Sequence, residues 1–175
     1  MKMKATILKP LASIIMILAG GTLGGCAGYT TASQYPDDVE TVAVDIFARG
    51  KDVYRRGIEM RITEAIVKQI ELDTPYKVTK KSRADTQLSG TLEVVNQRVL
   101  STNTLTGQPH EIEITLEVSF TWKDLRSGKI LAEQSSMPMA ATYIPQDPFS
   151  EDFFQGSEDD VNRLAARIVE QMEKW

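Results

Sequence analysis

The residues able to do chemistry in this 175-residue chain are few: one cysteine, one histidine and scattered carboxylates. His110 stands beside Pro109 in a polar stretch, and no G-x-S-x-G turn supplies a nucleophile for it to activate. A solvated loop histidine accounts for it better than a triad base. One histidine and one cysteine cannot furnish a zinc set, so no metal is expected. No glycine-rich phosphate cradle or nucleotide fingerprint occurs, and no cofactor is expected. Glu111, Glu113 and Glu117 alternate along one segment, where a carboxylate pair could move protons. A wet sheet face explains them more simply, and no catalytic residue is assigned.

Cys26 is different, because its neighbours suit one reaction. It follows Leu23, Gly24 and Gly25, an aliphatic residue and two small ones, in the pattern of a lipobox. The thiol accepts a diacylglycerol, and the small neighbours let a peptidase approach the backbone. Upstream, Lys2, Lys4 and Lys9 form a positive leader, Leu11 to Leu18 is apolar, and Ala19 to Gly25 is small. That order describes a secretory signal rather than a span, which needs about 20 apolar residues. Residues 1–25 are therefore expected to be a signal peptide and 26–40 a lipidated tether, with one α+β domain over 41–175. A sole cysteine at the leader boundary also leaves no internal disulfide. Ala27, rather than an aspartate, follows it, which favours the outer membrane with the body facing the periplasm. Removing residues 1–25 takes three lysines from the 20 basic residues, leaving 17 against 24 acidic ones, a net charge of −7. Such a balance gives no reason to expect a nucleic-acid partner.

The elements that must position any site can be read from periodicity. Val42, Val44 and Ile46 alternate in a strand over 41–47. Asp52 is a plausible cap for a helix over 53–72, whose stripe is Tyr54, Ile58, Ile62, Ala65, Ile66 and Ile70, with Gly57 inside it. Thr74-Pro75 ends that helix. Strands follow over 76–80 and 87–100, the second with a bulge near Val94–Asn96 because the alternation changes phase. The cleanest alternation in the chain places Ile112, Ile114, Leu116, Val118, Phe120 and Trp122 on one side of a long strand. Another strand covers 129–134. Residues 135–156, with three prolines, resist assignment. A last helix starts at Ser157, with Glu158, Asp159 and Asp160 in its first turn and Val161, Leu164, Ala165, Ile168 and Met172 on its stripe. The expected architecture is a two-layer α+β sandwich: a mostly antiparallel sheet of four to five strands, with two helices on one face.

Two surface groups invite functional readings. Arg98, Lys123, Arg126 and Lys129 fall toward the ends of the sheet, where they could meet lipid phosphates. Exposed cations also discourage edge-to-edge pairing, and that reading is preferred. Tyr143, Phe149, Phe153 and Phe154 could dock a partner, but are read as pinning their own loop to the core.

In order along the chain, these segments resemble the lipopolysaccharide-assembly lipoprotein family, LptE. The resemblance rests on the lipobox, the strand Thr41-Val42-Ala43-Val44-Asp45-Ile46-Phe47, the opening Arg56-Gly57-Ile58-Glu59 and its continuation Arg61 to Ile66. It extends through Arg83-Ala84-Asp85-Thr86-Gln87-Leu88-Ser89-Gly90 and the meander segment Trp122 to Leu131, to the final helix. Membership implies no catalysis. It implies a plug and assembly partner for an LptD-type outer-membrane β-barrel, held at the membrane by its lipid and able to bind lipopolysaccharide. The chain departs from the family at Leu105, which stands in the loop before Gly107-Gln108 where a basic residue would be expected, so the plug role is better supported than lipid contact. Arg98, Lys123, Arg126 and Lys129 are the candidates for that contact. A different class of function is a peripheral lipoprotein activating a cell-wall synthase, which a long tether would favour; residues 27–40 are short for it. A hydrolase is a third reading, which turnover of an ester or glycoside would promote.

Overall fold

The computed structural model describes residues 35–36, 38–145 and 152–173. The leader, Leu23, Gly24, Gly25, Cys26 and Phe149 lie outside them. Nine elements and one turn of 3₁₀ helix (Lys81–Arg83) follow in order. They are β1 (Thr41–Val44), β2 (Ala48–Arg49), α1 (Ile58–Asp73), β3 (Lys77–Val78), β4 (Thr86–Thr102), β5 (Pro109–Asp124), β6 (Ile130–Tyr143), α2 (Phe153–Gly156) and α3 (Glu158–Glu170).

The α+β class is as expected, but the sheet is mixed. Among the described residues it has six strands in the order β3-β1-β4-β5-β6, with β2 also paired to β4. β1 pairs in parallel with both β3 and β4, and β2 pairs in parallel with β4. Only β4–β5 and β5–β6 are antiparallel. A mostly antiparallel sheet of four to five strands is thus corrected. The parallel strands are two to four residues long, too short for periodicity to reveal their direction.

The first strand also ends sooner than its alternation suggests. β1 stops at Val44, and Ile46 is 63% exposed while Phe47 is buried. Thr63 causes the turn-in: its Oγ1 accepts the Phe47 amide at 3.0 Å and donates to the Glu59 carbonyl at 2.8 Å. The Phe47 ring then packs over Gly90, where a Cβ would lie 2.3 Å from it. This close approach is the reason for glycine there.

Helix α1 begins at Ile58, not Val53, and its N-cap is Gly57 rather than Asp52. Gly57 has φ 93°, a left-handed conformation that side chains resist. Its amide donates to Glu59 Oε2 at 3.0 Å. Tyr54 therefore leaves the stripe and is 91% exposed, while Ile58, Ile62, Ile66 and Ile70 are fully buried. The helix ends as read, at Asp73, with Thr74 extended before Pro75.

β4 and β5 are 17 and 16 residues long, against a usual five or six. The phase change in β4 is a bulge between Leu92 and Val94, next to its expected place. β5 alternates as read: Ile114, Leu116, Val118, Phe120 and Trp122 are buried, with Ile112 packed against them. β6 runs on to Tyr143, so much of 135–156 is strand. Pro138 and a second register shift between Val118 and Phe120 hid it. An edge strand tolerates such a proline. α2 was also missed, although Asp152 and Gln155 form a reciprocal capping box. Ser157 occupies the N-cap of α3, but its hydroxyl bonds the Phe154 carbonyl rather than the helix it precedes.

The isoleucines of α1, the stripe of α3 and the inward face of β4 and β5 join one core, which Val39, Tyr76, Tyr143 and Phe153 also enter. Tyr143 and Phe153 thus pin the chain to its own interior. Gly156 lets this happen, because a Cβ there would meet the Tyr143 side chain at 2.4 Å.

Candidate functional site

Because the core takes one face of β4, β5 and β6, the other is left without a covering layer among the described residues. It carries Ser89, Thr91, Glu113, Thr115, Glu117, Ser119 and Thr121, half-buried by their neighbours in the sheet, and the exposed Glu133. A shallow groove of about 460 Å³ crosses it between Asp45, Gly90, Ser119 and Gln134. The three glutamates of β5 do not converge. Glu113 is taken by Arg98, and Glu117 accepts the Ser136 hydroxyl. His110 is exposed at the start of β5. No cluster of His, Cys, Asp and Glu suited to a metal occurs among the described residues. Nor is any described helix long and apolar enough to cross a membrane.

The four cations divide between two ends of the sheet. Arg98 is on β4 opposite Glu113, with Nη2 and Oε1 2.9 Å apart. Lys123, Arg126 and Lys129 gather at the β5–β6 turn. At about 3.3 Å per residue, the ten residues from Glu113 to Lys123 separate the two groups by roughly 30 Å. No single headgroup can meet all four.

Within the turn, Arg126 is already occupied. Its Nη2 donates to the Asp38 carbonyl at 2.7 Å, and its guanidinium lies 3.8 Å from Asp124 and 4.0 Å from Asp85. The Ser127 hydroxyl and the Arg126 amide hold the Asp124 carboxyl below its usual range. Lys123 and Lys129 are exposed and have no ion pair among the described residues. Of the four, these two are best placed to receive an external anion.

Asp160 is a site that sequence reading placed only as a helix-dipole charge. It is fully buried where α3 meets β6, with the Ala141 amide of β6 as the donor that favours its ionised form. Burial pushes its carboxyl up to about 6, against the pull of Arg163 3.8 Å away. Arg163 is shared, since it also pairs with Asp159 at 2.7 Å and donates to the Ala140 carbonyl of β6 at 3.3 Å.

The motifs behind the family resemblance are fold-building residues. In Ala84-Asp85-Thr86-Gln87-Leu88-Ser89-Gly90, Asp85 fastens the start of β1, Leu88 is fully buried, and Gly90 seats Phe47. In Gly57-Ile58-Glu59, the glycine turns the chain into α1, the isoleucine enters the core, and the glutamate closes the first turn.

Solved structures with this fold come from several bacteria. Lipoprotein B from Nitrosomonas europaea is 16% identical, with a TM-score of 0.57 over 83% of this chain and 90% of its own. A PelC dodecamer from Paraburkholderia phytofirmans is 13% identical, with a TM-score of 0.51 over 83% and 94%. Protein XCC0632 from Xanthomonas campestris is 14% identical, with a TM-score of 0.51 over 80% and 86%. At such identities they establish the α+β fold alone. No curated protein matches. The family is set by sequence: residues 39–173 match LptE, described as lipopolysaccharide-assembly. The chain belongs to that family of lipopolysaccharide-assembly lipoproteins.

Proposed function

We propose that the protein is a lipid-anchored plug and assembly partner of an LptD-type outer-membrane β-barrel, working in lipopolysaccharide transport to the cell surface. The observation that carries this reading is the family match, which runs from Val39 in the core to Glu173 after α3. A polar sheet face with no covering layer among the described residues supports it. The lumen of such barrels is polar, and a wet, hydroxyl- and carboxylate-lined surface suits it better than an apolar one. On this reading Cys26 carries the acyl chains. Several chains are needed, since one gives only marginal membrane binding.

Lipopolysaccharide contact is assigned within the same proposal to Lys123 and Lys129, whose ammonium groups can meet headgroup phosphates. Arg98 and Arg126 are structural in this account.

The deciding experiment is co-purification in mild detergent from cells expressing the barrel subunit. The full chain should return with the barrel as a stable complex. Recovery of free monomer alone would overturn the reading.

A further inference from the structure

The sheet has two outer edges along its long strands, and they are finished differently. β6 is guarded. Ser136 has φ 56° beside a register shift, Pro138 removes an amide, and Arg163 caps the Ala140 carbonyl. Bulges, prolines and covering side chains are the usual ways of blocking edge pairing.

β4 is not finished this way. β1 covers it from Thr86 to Leu88 and β2 covers Thr91 and Leu92. From Glu93 to Thr102 its only partner strand among the described residues is β5. The direction of its backbone there follows from two observations. The Leu92 carbonyl accepts the Gly50 amide at 2.8 Å, so Leu92 faces away from β5. The bulge then advances the register by one, Leu92 lying opposite Val118 and Val94 opposite Glu117. Beyond it, Val95, Gln97 and Val99 turn their amides and carbonyls outward. The Gln97 amide agrees, since it is held at 2.9 Å by the Asn96 side chain instead of by a strand. That is a local substitute an incoming carbonyl can displace.

The strip also carries little charge of its own, and its Gln97 side chain accepts from Arg55 Nη2 at 3.2 Å and donates to the Tyr143 hydroxyl at 3.0 Å. Residues 93–102 contain one acid and one base, no lysine and no proline. Glu93 accepts the Ser119 hydroxyl at 2.7 Å and Arg98 is held by Glu113. Val94, Val99 and Leu100 are exposed. Alongside lies an open groove of about 420 Å³ between Tyr54, Arg55, Val95 and Gln97.

We infer that the outer edge of β4, Val95–Val99, is a docking strand that pairs main chain to main chain with an extended, uncharged segment of the barrel partner. This rests on the function proposed above. A row of alternating donors and acceptors at strand spacing is complementary to another extended backbone. Arg98 is paired with Glu113, and Glu93 lies before Val95 and is tied to a hydroxyl. Val95, Gln97 and Val99 carry no charge of their own, so a neutral, β-prone segment fits the edge better than a strongly charged one.

The full-length chain, co-expressed with the barrel subunit, provides the test. Val99→Pro removes one outward amide, and a proline on an open edge leaves the β4–β5 ladder intact. Val99→Thr keeps the amide and controls for side-chain loss. Val99→Pro is expected to lower the barrel co-purified by roughly tenfold, with Val99→Thr unchanged and circular dichroism alike in all three. A photoreactive residue at Val94 or Val99 is expected to cross-link to the barrel, which gives a readout that does not depend on the proline variant folding. Wild-type yield with Val99→Pro, or cross-links confined to a second copy or to this chain itself, would overturn edge pairing and leave the plug reading standing. Failure of the wild-type chain to bring down any barrel would remove both.

Discussion

Asp85 holds Thr41 by three contacts: its Oδ2 accepts the Thr41 hydroxyl at 2.7 Å and the Thr41 amide at 3.0 Å, while its own amide donates to that hydroxyl at 2.9 Å. The two residues stand at the starts of β1 and β4, the parallel strands on which the rest of the sheet is built. The Thr41 hydroxyl, with the Glu40 and Thr41 amides and Arg126, keeps the Asp85 carboxyl below its ordinary range. Because the folded state favours the ionised form, its stabilisation is complete above the unfolded value near 4. It is lost as pH falls through the lower folded value. Asp85→Ala should cost about 1–2 kcal/mol at pH 7, measured by urea unfolding, and should show a smaller loss of stability than the wild type on acidification below pH 4.

Asp160 predicts the opposite slope. A carboxyl raised to about 6 binds its proton more tightly folded than unfolded, so stability rises as pH falls through 6 and levels off below about 4. Arg163 and the Ala141 amide oppose this shift, while Asp159 and Glu113 add to it. Wild-type protein should therefore gain stability between pH 7 and 5, and Asp160→Asn should lose that gain. Parallel slopes for the two proteins would refute the assignment.

Gly90 is expected to tolerate no side chain. A Cβ would fall 2.3 Å from the Phe47 ring and 2.6 Å from the Ser119 carbonyl. Overpacking of this kind costs about 1–3 kcal/mol, so Gly90→Ala should lower the thermal midpoint by several degrees. Phe47→Leu in the same background should recover part of the loss.

The cations separate structure from binding. Arg98→Ala breaks an exposed pair and should change stability by less than about 1 kcal/mol. Lys123→Glu combined with Lys129→Glu should leave folding unchanged and weaken binding to lipopolysaccharide micelles, with the difference shrinking as salt is raised. Equal binding by both proteins at low salt would exclude this turn as the contact.

Cys26→Ala should abolish incorporation of radiolabelled lipid and release the protein from the membrane fraction. Retained label would show that acylation lies elsewhere.

How much of this was legible beforehand depends on the kind of interaction. β5 and the stripes of α1 and α3 were readable because burial imposes a period on consecutive residues. Tyr54 and Ile46 broke the pattern they continued, since a glycine at φ 93° and a threonine hydroxyl redirected the chain. The parallel pairings escaped because strands of two to four residues carry too few side chains to express a period. The capping box of α2 was present as Asp152 and Gln155 and could have been found by its spacing. Asp160 could not, since its burial depends on β6, which Pro138 had disguised. The basic residues were placed correctly toward the sheet's ends, but the Arg98–Glu113 and Arg126–Asp38 pairings needed the fold.

The placement of β1 between β3 and β4 has a consequence for how the polypeptide matures. Val42 lies next to Thr86, 44 positions later in the sequence. A chain that emerges amino end first has its first strand waiting while α1 and the turn after it are made. The β4–β5–β6 meander, by contrast, closes between adjacent segments and can nucleate rapidly. Maturation should run backwards along the sequence, the late hairpins forming a template onto which the earliest strand is finally zipped.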